Sequence, residues 1–228
     1  MRYICLREIK MEPREVAQAL FDKVMDYCEN ERRSSIAYEH QLECVSRYGP
    51  DELLEFVNSH LTGEDKDIKE AIQNADQNFL NKVKKEYEEL WNLGISTQLY
   101  EFLGDTLEAL YENIVQNDLI SDSCKVRRLK AYEEVLEKFV DSIKHAIQDK
   151  KPLTGYDLYD WFKKMGDAVF GVKNHDYYEE VSYYTGFYDM LSDTSKLETL
   201  FILLDYIDNV LYYIEHELRE LEALTNES

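Results

Sequence analysis

An all-α fold, an antiparallel array of about seven to nine long helices, is the class this chain predicts, and three observations predict it. Breakers are scarce, with 8 Gly and 3 Pro in 228 residues, so few positions interrupt a helical backbone. Apolar residues recur at steps of three and four over long stretches, the period of a helix face. Only Met1 to Lys10 alternate, weakly, as a short helix or an extended lead-in would, and no stretch reads as a convincing strand. One all-helical domain over 1–228 is expected, with 1–12 irregular or a short helix and 225–228 a disordered tail.

Met11-Glu12-Pro13 reads as the first clear helix start, with Pro tolerated in the first turn and Glu15 near the positive end of the dipole. Val16, Leu20, Val24 and Cys28 form its apolar face, and the pattern carries on through Ile36 and Ala37 to Val45 until Gly49-Pro50 stops it. Asp51 to His60 is a short helix with Leu53, Leu54, Val57 and Leu61 apolar, ended by Thr62-Gly63. Asp65 to Leu93 follows as one longer helix, with Gly94 as its C-terminal stop. Ser96 is expected to cap the next, which runs through Leu99, Leu103, Leu107, Leu110 and Ile114.

Ser121-Asp122-Ser123 offers another N-cap cluster. Two seams then stand out: Leu129, Tyr132, Leu136, Phe139, Ile143 and Ala146, and Leu197, Leu200, Leu204, Ile207, Leu211, Ile214, Leu218 and Leu221. Such seams pack against neighbouring helices at a shallow angle. Between them, Tyr156 to Phe170 and His175 to Leu191 read as two more helices, separated by Gly171.

The chain carries 47 Asp and Glu against 26 Lys and Arg, a formal net charge of -21. That charge repels nucleic acid and anionic membrane, so neither is an expected partner. A hydrophobic content of 44% is too high for a disordered acidic chain. There is no charged-then-apolar leader and no apolar run of about 18 residues, so a soluble, cytoplasmic protein is expected. The four cysteines, Cys5, Cys28, Cys44 and Cys124, lack metal-like spacing, and Cys28 and Cys44 are expected as small reduced core residues.

In this acidic background Arg32-Arg33-Ser34-Ser35 sets two guanidinium groups beside two hydroxyls. The pattern suits an anion, since Arg makes bidentate bonds to phosphate. The same residues would also serve as a solvated face paired with Glu29 or Glu31. Lys125, Arg127, Arg128 and Lys130 form the densest basic cluster, at a helix start that either binds an anion or salt-bridges to the acidic surface.

His175 and Glu179 stand four apart, but no Glu-x-x-His motif accompanies them, and no metal or cofactor is expected. The tyrosine-rich run from Tyr177 to Tyr188 suits either a peptide groove or core packing. No Gly-rich phosphate loop, nucleophile elbow or Cys-His signature nominates a catalytic residue, so a binding protein rather than an enzyme is expected.

Four landmarks in order give the chain a resemblance to the 14-3-3 family. They are Arg32-Arg33-Ser34-Ser35, Gly104-Asp105 preceded by Leu99-Tyr100 and Leu103, Ala131-Tyr132-Glu133-Glu134, and Thr199-Leu200 through Asp208-Asn209. The resemblance covers Met11 to about Tyr213. It implies a curved helical adaptor that binds peptides containing phosphoserine or phosphothreonine. Residue by residue, it makes Arg33 a phosphate-binding Arg and Asn209 the Asn that clamps the peptide backbone.

The departures lie at the same pocket. Asp26 stands where the family has its groove Lys, and Glu108-Ala109 stands where it has an Arg-Tyr pair. The other clamping Asn would fall near Tyr159. Carboxylates facing a phosphate are repulsive by several kcal/mol, so the phosphate pocket is expected to be degenerate. The family pairs through its first two helices, yet about ten residues precede Met11 here, so a monomer or an atypical dimer is expected. The competing expectation is an acidic inhibitor or immunity-type protein that engages a basic partner by charge mimicry.

Overall fold

The computed structural model describes residues 11–34 and 40–226, without the side chains of 31–34, 40–41 and 224–226. Among the described residues there are nine α-helices, one 3-10 turn and no strand, as an all-α array requires. In order they are α1 (Pro13–Ser34), α2 (His40–Arg47), α3 (Leu53–Ser59), the 3-10 turn Gly63–Asp65, α4 (Lys66–Gln73), α5 (Gln77–Val115), α6 (Asp122–Gln148), α7 (Gly155–Phe170), α8 (His175–Tyr188) and α9 (Asp193–Asn226). They gather into two compact units, one up to Ile95 and one from Ser96, and α5 contributes to both.

In the first unit, Val16, Ala17, Leu20, Val24 and Cys28 of α1 are buried with Leu42, Cys44 and Val45 of α2. The expected single helix through Val45 is corrected here. Cys28 and Cys44 have Cα atoms 5.5 Å apart and are joined by a disulfide, whereas an unbroken helix would separate them by about 24 Å. The chain therefore doubles back between α1 and α2. Ile36 and Ala37 lie outside the described residues. The expectation of two reduced cysteines is corrected as well, because the reversal sets the two thiols face to face.

The C-terminal carbonyls of α2, which have no partner in their own helix, are met by α5. Trp91 Nε1 donates to Val45 O at 2.9 Å and the Tyr87 hydroxyl to Tyr48 O at 2.7 Å. At the 3-10 turn, Asp65 is buried and accepts from the Thr62 backbone N at 2.8 Å and from Lys23 at 2.8 Å, tying α1 to the start of α4. Leu54, expected on the apolar face of α3, is 53% exposed; Phe56 takes its place beside Leu53 and Val57.

Gly94 and Ser96 do not divide two helices, because α5 runs through both for 39 residues. Gly94 is a point of close approach instead: a Cβ there would lie 2.7 Å from the Phe21 ring. The break falls earlier, where Asp76 Oδ1 accepts from Phe79 N and caps α5. The large apolar residues that α5 buries are Val83, Tyr87, Trp91, Ile95, Leu99, Leu103, Leu107, Leu110 and Ile114. Each step of four, at about 100° per residue, moves this stripe by about 40° around the helix within its unit.

In the second unit, α6 buries Leu129, Tyr132, Leu136, Phe139, Val140, Ile143 and Ala146, the expected seam. Helix α7 opens with a capping box between Thr154 and Asp157 and closes on Gly171 at φ 69°, a left-handed C-cap. The seam of α9 shifts from the one expected. Leu200, Ile207, Ile214, Leu218 and Leu221 are buried as read, but Leu203 and Val210 are buried rather than Leu204 and Leu211. Both pairs are adjacent apolar residues, so packing rather than composition chooses between them.

Tyrosine hydroxyls peg helices together in both units. Besides Tyr87, Tyr132 donates to Leu107 O at 2.9 Å, Tyr177 to Phe162 O at 2.7 Å and Tyr188 to Lys196 O at 3.2 Å. Burial raises all four above the ordinary tyrosine range, since the charged form would lose its solvent.

Two predictions follow from the first unit. Cys44→Ser, or reduction of the native protein, is expected to lower unfolding free energy by about 3 kcal/mol, the scale for a loop of this length. Urea titration with and without reductant checks the loss, and non-reducing peptide mapping should recover a Cys28–Cys44 linked pair. Asp65 sits below the usual carboxylate range, chiefly through its bond to Lys23. Its contribution is therefore complete above about pH 4 and disappears as pH falls through its depressed value. Asp65→Asn should cost about 1–2 kcal/mol at pH 7, and the gap from the unmodified protein should be narrower at about pH 2. Parallel denaturation curves at the two pH values measure it.

Candidate functional site

Among the residues the sequence nominated, Asn209 is exposed on α9, Glu108 and Ala109 are exposed on α5, and Asp26 is exposed on α1. Arg33 lies in the last turn of α1, with its side chain outside the described residues. Asp26 and Arg33 belong to the first unit and the other three to the second. The second unit therefore carries the geometry that is on view.

There α5 and α9 approach closely at Gly104, where a Cβ would stand 2.4 Å from the Tyr206 ring. Tyr206 lies one turn before Asn209 on α9. Its hydroxyl is pushed above the ordinary range by burial first, and then by Asp105, Glu101 and Glu108 on α5. Further along, Tyr111 of α5 meets Tyr213 of α9 with ring centroids 5.9 Å apart. It is raised by burial and by the carboxylates of Glu217, Glu220 and Glu112. The spacing of Glu101, Asp105, Glu108 and Glu112 puts all four on one face of α5.

No cation of these stretches offsets them. Residues 86–124 contain no Lys or Arg, and neither do residues 197–218. A phosphate brought to Asn209 would thus meet carboxylates at Asp105 and Glu108 without a guanidinium from either stretch. The aromatic side chains of the face, Tyr206, Tyr111 and Tyr213, were not nominated by the sequence reading, nor were Glu101, Asp105 and Glu112. The signal that could have found them is the pair of cation-free stretches themselves.

The basic cluster at the start of α6 does not act as one group. Lys125 donates to Val115 O at 2.6 Å, Arg127 to Cys124 Sγ at 3.8 Å, and Lys130 pairs with Glu222 at 2.9 Å. Only Arg128 turns toward the end of α7. His175 and Glu179 line one hollow together, and among the described residues no three His, Cys, Asp or Glu side chains are grouped to hold a metal ion.

Compared with protein-family models, with curated proteins and with solved structures, the chain finds no match in any of the three. The likeness to 14-3-3 proteins accordingly rests on the four sequence landmarks alone. Among the described residues no helix is long and apolar enough to cross a membrane.

Gly104→Ala tests the α5–α9 approach. It should destabilise by about 1–3 kcal/mol through overpacking against Tyr206, outweighing the gain of about 1 kcal/mol that Ala brings to a helix. In a Tyr206→Ala background the same change should become neutral or stabilising. Thermal or urea unfolding of the four proteins measures the cycle.

Proposed function

We propose that this chain is a binding module, in the manner of an adaptor, whose α5–α9 face takes a basic and unphosphorylated segment of a partner protein. The observation that carries the reading is the cation-free acidic face, with Glu101, Asp105, Glu108 and Glu112 on α5 and Tyr206, Tyr111 and Tyr213 beside them. Carboxylates attract Lys and Arg and steer their approach. The exposed ring of Tyr213 adds a cation–π contact for the same side chains.

The 14-3-3 resemblance supports the adaptor class, while Glu108 and Ala109 at the phosphate pocket argue for a ligand of opposite charge. Asn209 keeps its place beside Tyr206 as a donor and acceptor for an extended backbone. A cytoplasmic setting belongs to this adaptor reading. The Cys28–Cys44 bond pulls against it, because a reducing cytosol opposes such bonds.

Fluorescence anisotropy with a labelled Lys/Arg-rich peptide, in serine and phosphoserine forms, tests the proposal. The serine form should bind more tightly, and its affinity should fall about tenfold or more between low and physiological salt. Glu108→Lys should weaken it about tenfold, while Glu89→Lys, the same charge change at an exposed position of the first unit, should do far less. Tighter binding of the phosphoserine form, lost in Arg33→Ala, would overturn the basic-segment reading in favour of a phosphate-directed adaptor.

A further inference from the structure

The end of the second unit where α6, α7 and α8 meet carries a feature that the acidic face does not explain. Helix α7 stops at the left-handed Gly171, whose N–H donates to Asp167 O at 3.1 Å. The chain then turns through Val172 and Lys173 to Asn174, whose side chain accepts from Tyr177 N and opens α8. Lys173 is thus held in a short turn fixed at both ends. From α6, Arg128 reaches across the same turn, its Nη2 lying 3.6 Å from the position a Gly171 Cβ would take.

Two hollows flank this turn. One, of about 420 Å³, is lined by Asn113, Asn117, Arg128, Lys173, Asn174 and His175 among others. The second, of about 560 Å³, includes Tyr159, Lys163, Lys173, His175, Tyr178 and Ser182. Lys173 and His175 line both, so the two hollows adjoin along this turn, and together they are called the trough. Each is within the size range of small-molecule sites.

The trough is lined by cations from three elements. Acidic residues outnumber basic ones 47 to 26, and on the neighbouring helices Lys130, Lys138 and Lys164 each reach a carboxylate. Arg128, Lys163 and Lys173 come from three different elements, line the trough and have no ion-pair partner among the described residues. The carboxylates on its walls are Asp176 and Glu179, while Asp167 accepts the Tyr178 hydroxyl. The first turn of α8 adds its dipole to the same region. The overall charge of the chain is screened beyond about 8 Å at physiological salt, so these local cations set the potential that a ligand meets.

We infer that this trough binds a phosphorylated small molecule of the nucleotide class. Arg128, Lys173 and Lys163 would hold its phosphates. The amides of Asn113, Asn117 and Asn174 supply hydrogen bonds around them, and Tyr159 and Tyr178 offer flat walls for a ring.

Isothermal titration with ADP and with inorganic pyrophosphate tests it on the full chain. ADP should bind saturably below about 1 mM and more tightly than pyrophosphate. Lys173→Ala and Arg128→Ala should each weaken both probes about tenfold, and Lys138→Ala, the removal of a paired cation on α6, should leave both unchanged. Lys173 stands on an exposed turn, so its replacement leaves the fold intact and keeps the test decisive even if Arg128→Ala disturbs the Gly171 cap. No saturable binding of either probe at about 5 mM would overturn the site. So would equal weakening by Lys138→Ala. Pyrophosphate binding as tightly as ADP would overturn the nucleotide class.

Discussion

The winding stripe on α5 is the constraint on which the rest of the structure depends. Steps of four bury one apolar residue per turn and move the buried side by about 40° each time. Val83, Tyr87 and Trp91 belong to the core of the first unit, and Leu99, Leu103 and Leu107 to that of the second. Polar groups follow the same helix. Trp91 and Tyr87 satisfy carbonyls at the end of α2, and Leu107 O receives the hydroxyl of Tyr132. Gly104 then lets Tyr206 of α9 lie against α5 where any larger residue would hold it away.

Charge is distributed by the same elements. Because α5 beyond Lys85 and α9 between Lys196 and Arg219 lack cations, the surface between them is acidic without internal neutralisation. Exposed carboxylates tolerate this crowding, since water screens them at high dielectric. The cations of the second unit gather instead on α6, on α7 and in the turn before α8. Two surfaces of opposite character thus belong to one unit, one suited to a cationic chain and the other to an anionic small molecule.

Much of the fold was legible because α6 and α7 announce themselves locally. Ser121 and Gly171 mark ends that the structure keeps, and the α6 seam is the one its three-four periodicity gives, with Val140 added. The misreadings share one cause, which is long-range packing. Gly94 looks like a C-cap until Phe21 is found lying over it, and the rotating stripe of α5 mimics a change of helix at that point. On α9, Leu203 and Leu204 are equivalent in composition, and only the neighbouring helices distinguish them. No local signal pairs Cys28 with Cys44, because their meeting depends on the chain reversing between two helices. At the candidate site, Glu108 and Ala109 were legible as departures from a phosphate pocket. Tyr206 was not, since its meaning comes from the α5–α9 approach at Gly104.

The tyrosine pegs bear on how this chain meets chemical modification. Tyr87, Tyr132, Tyr177 and Tyr188 each commit a hydroxyl to a carbonyl across a helix boundary, and a kinase cannot reach that oxygen, nor a nitrating agent the ring carbon beside it, without parting the helices. Tyr156 and Tyr212, by contrast, are 72% and 61% exposed and stay open to the same reagents. With 18 tyrosines, the chain carries an internal record of its own integrity: label on the outer rings reports encounter with the reagent, and label on the pegs reports that the helices have come apart.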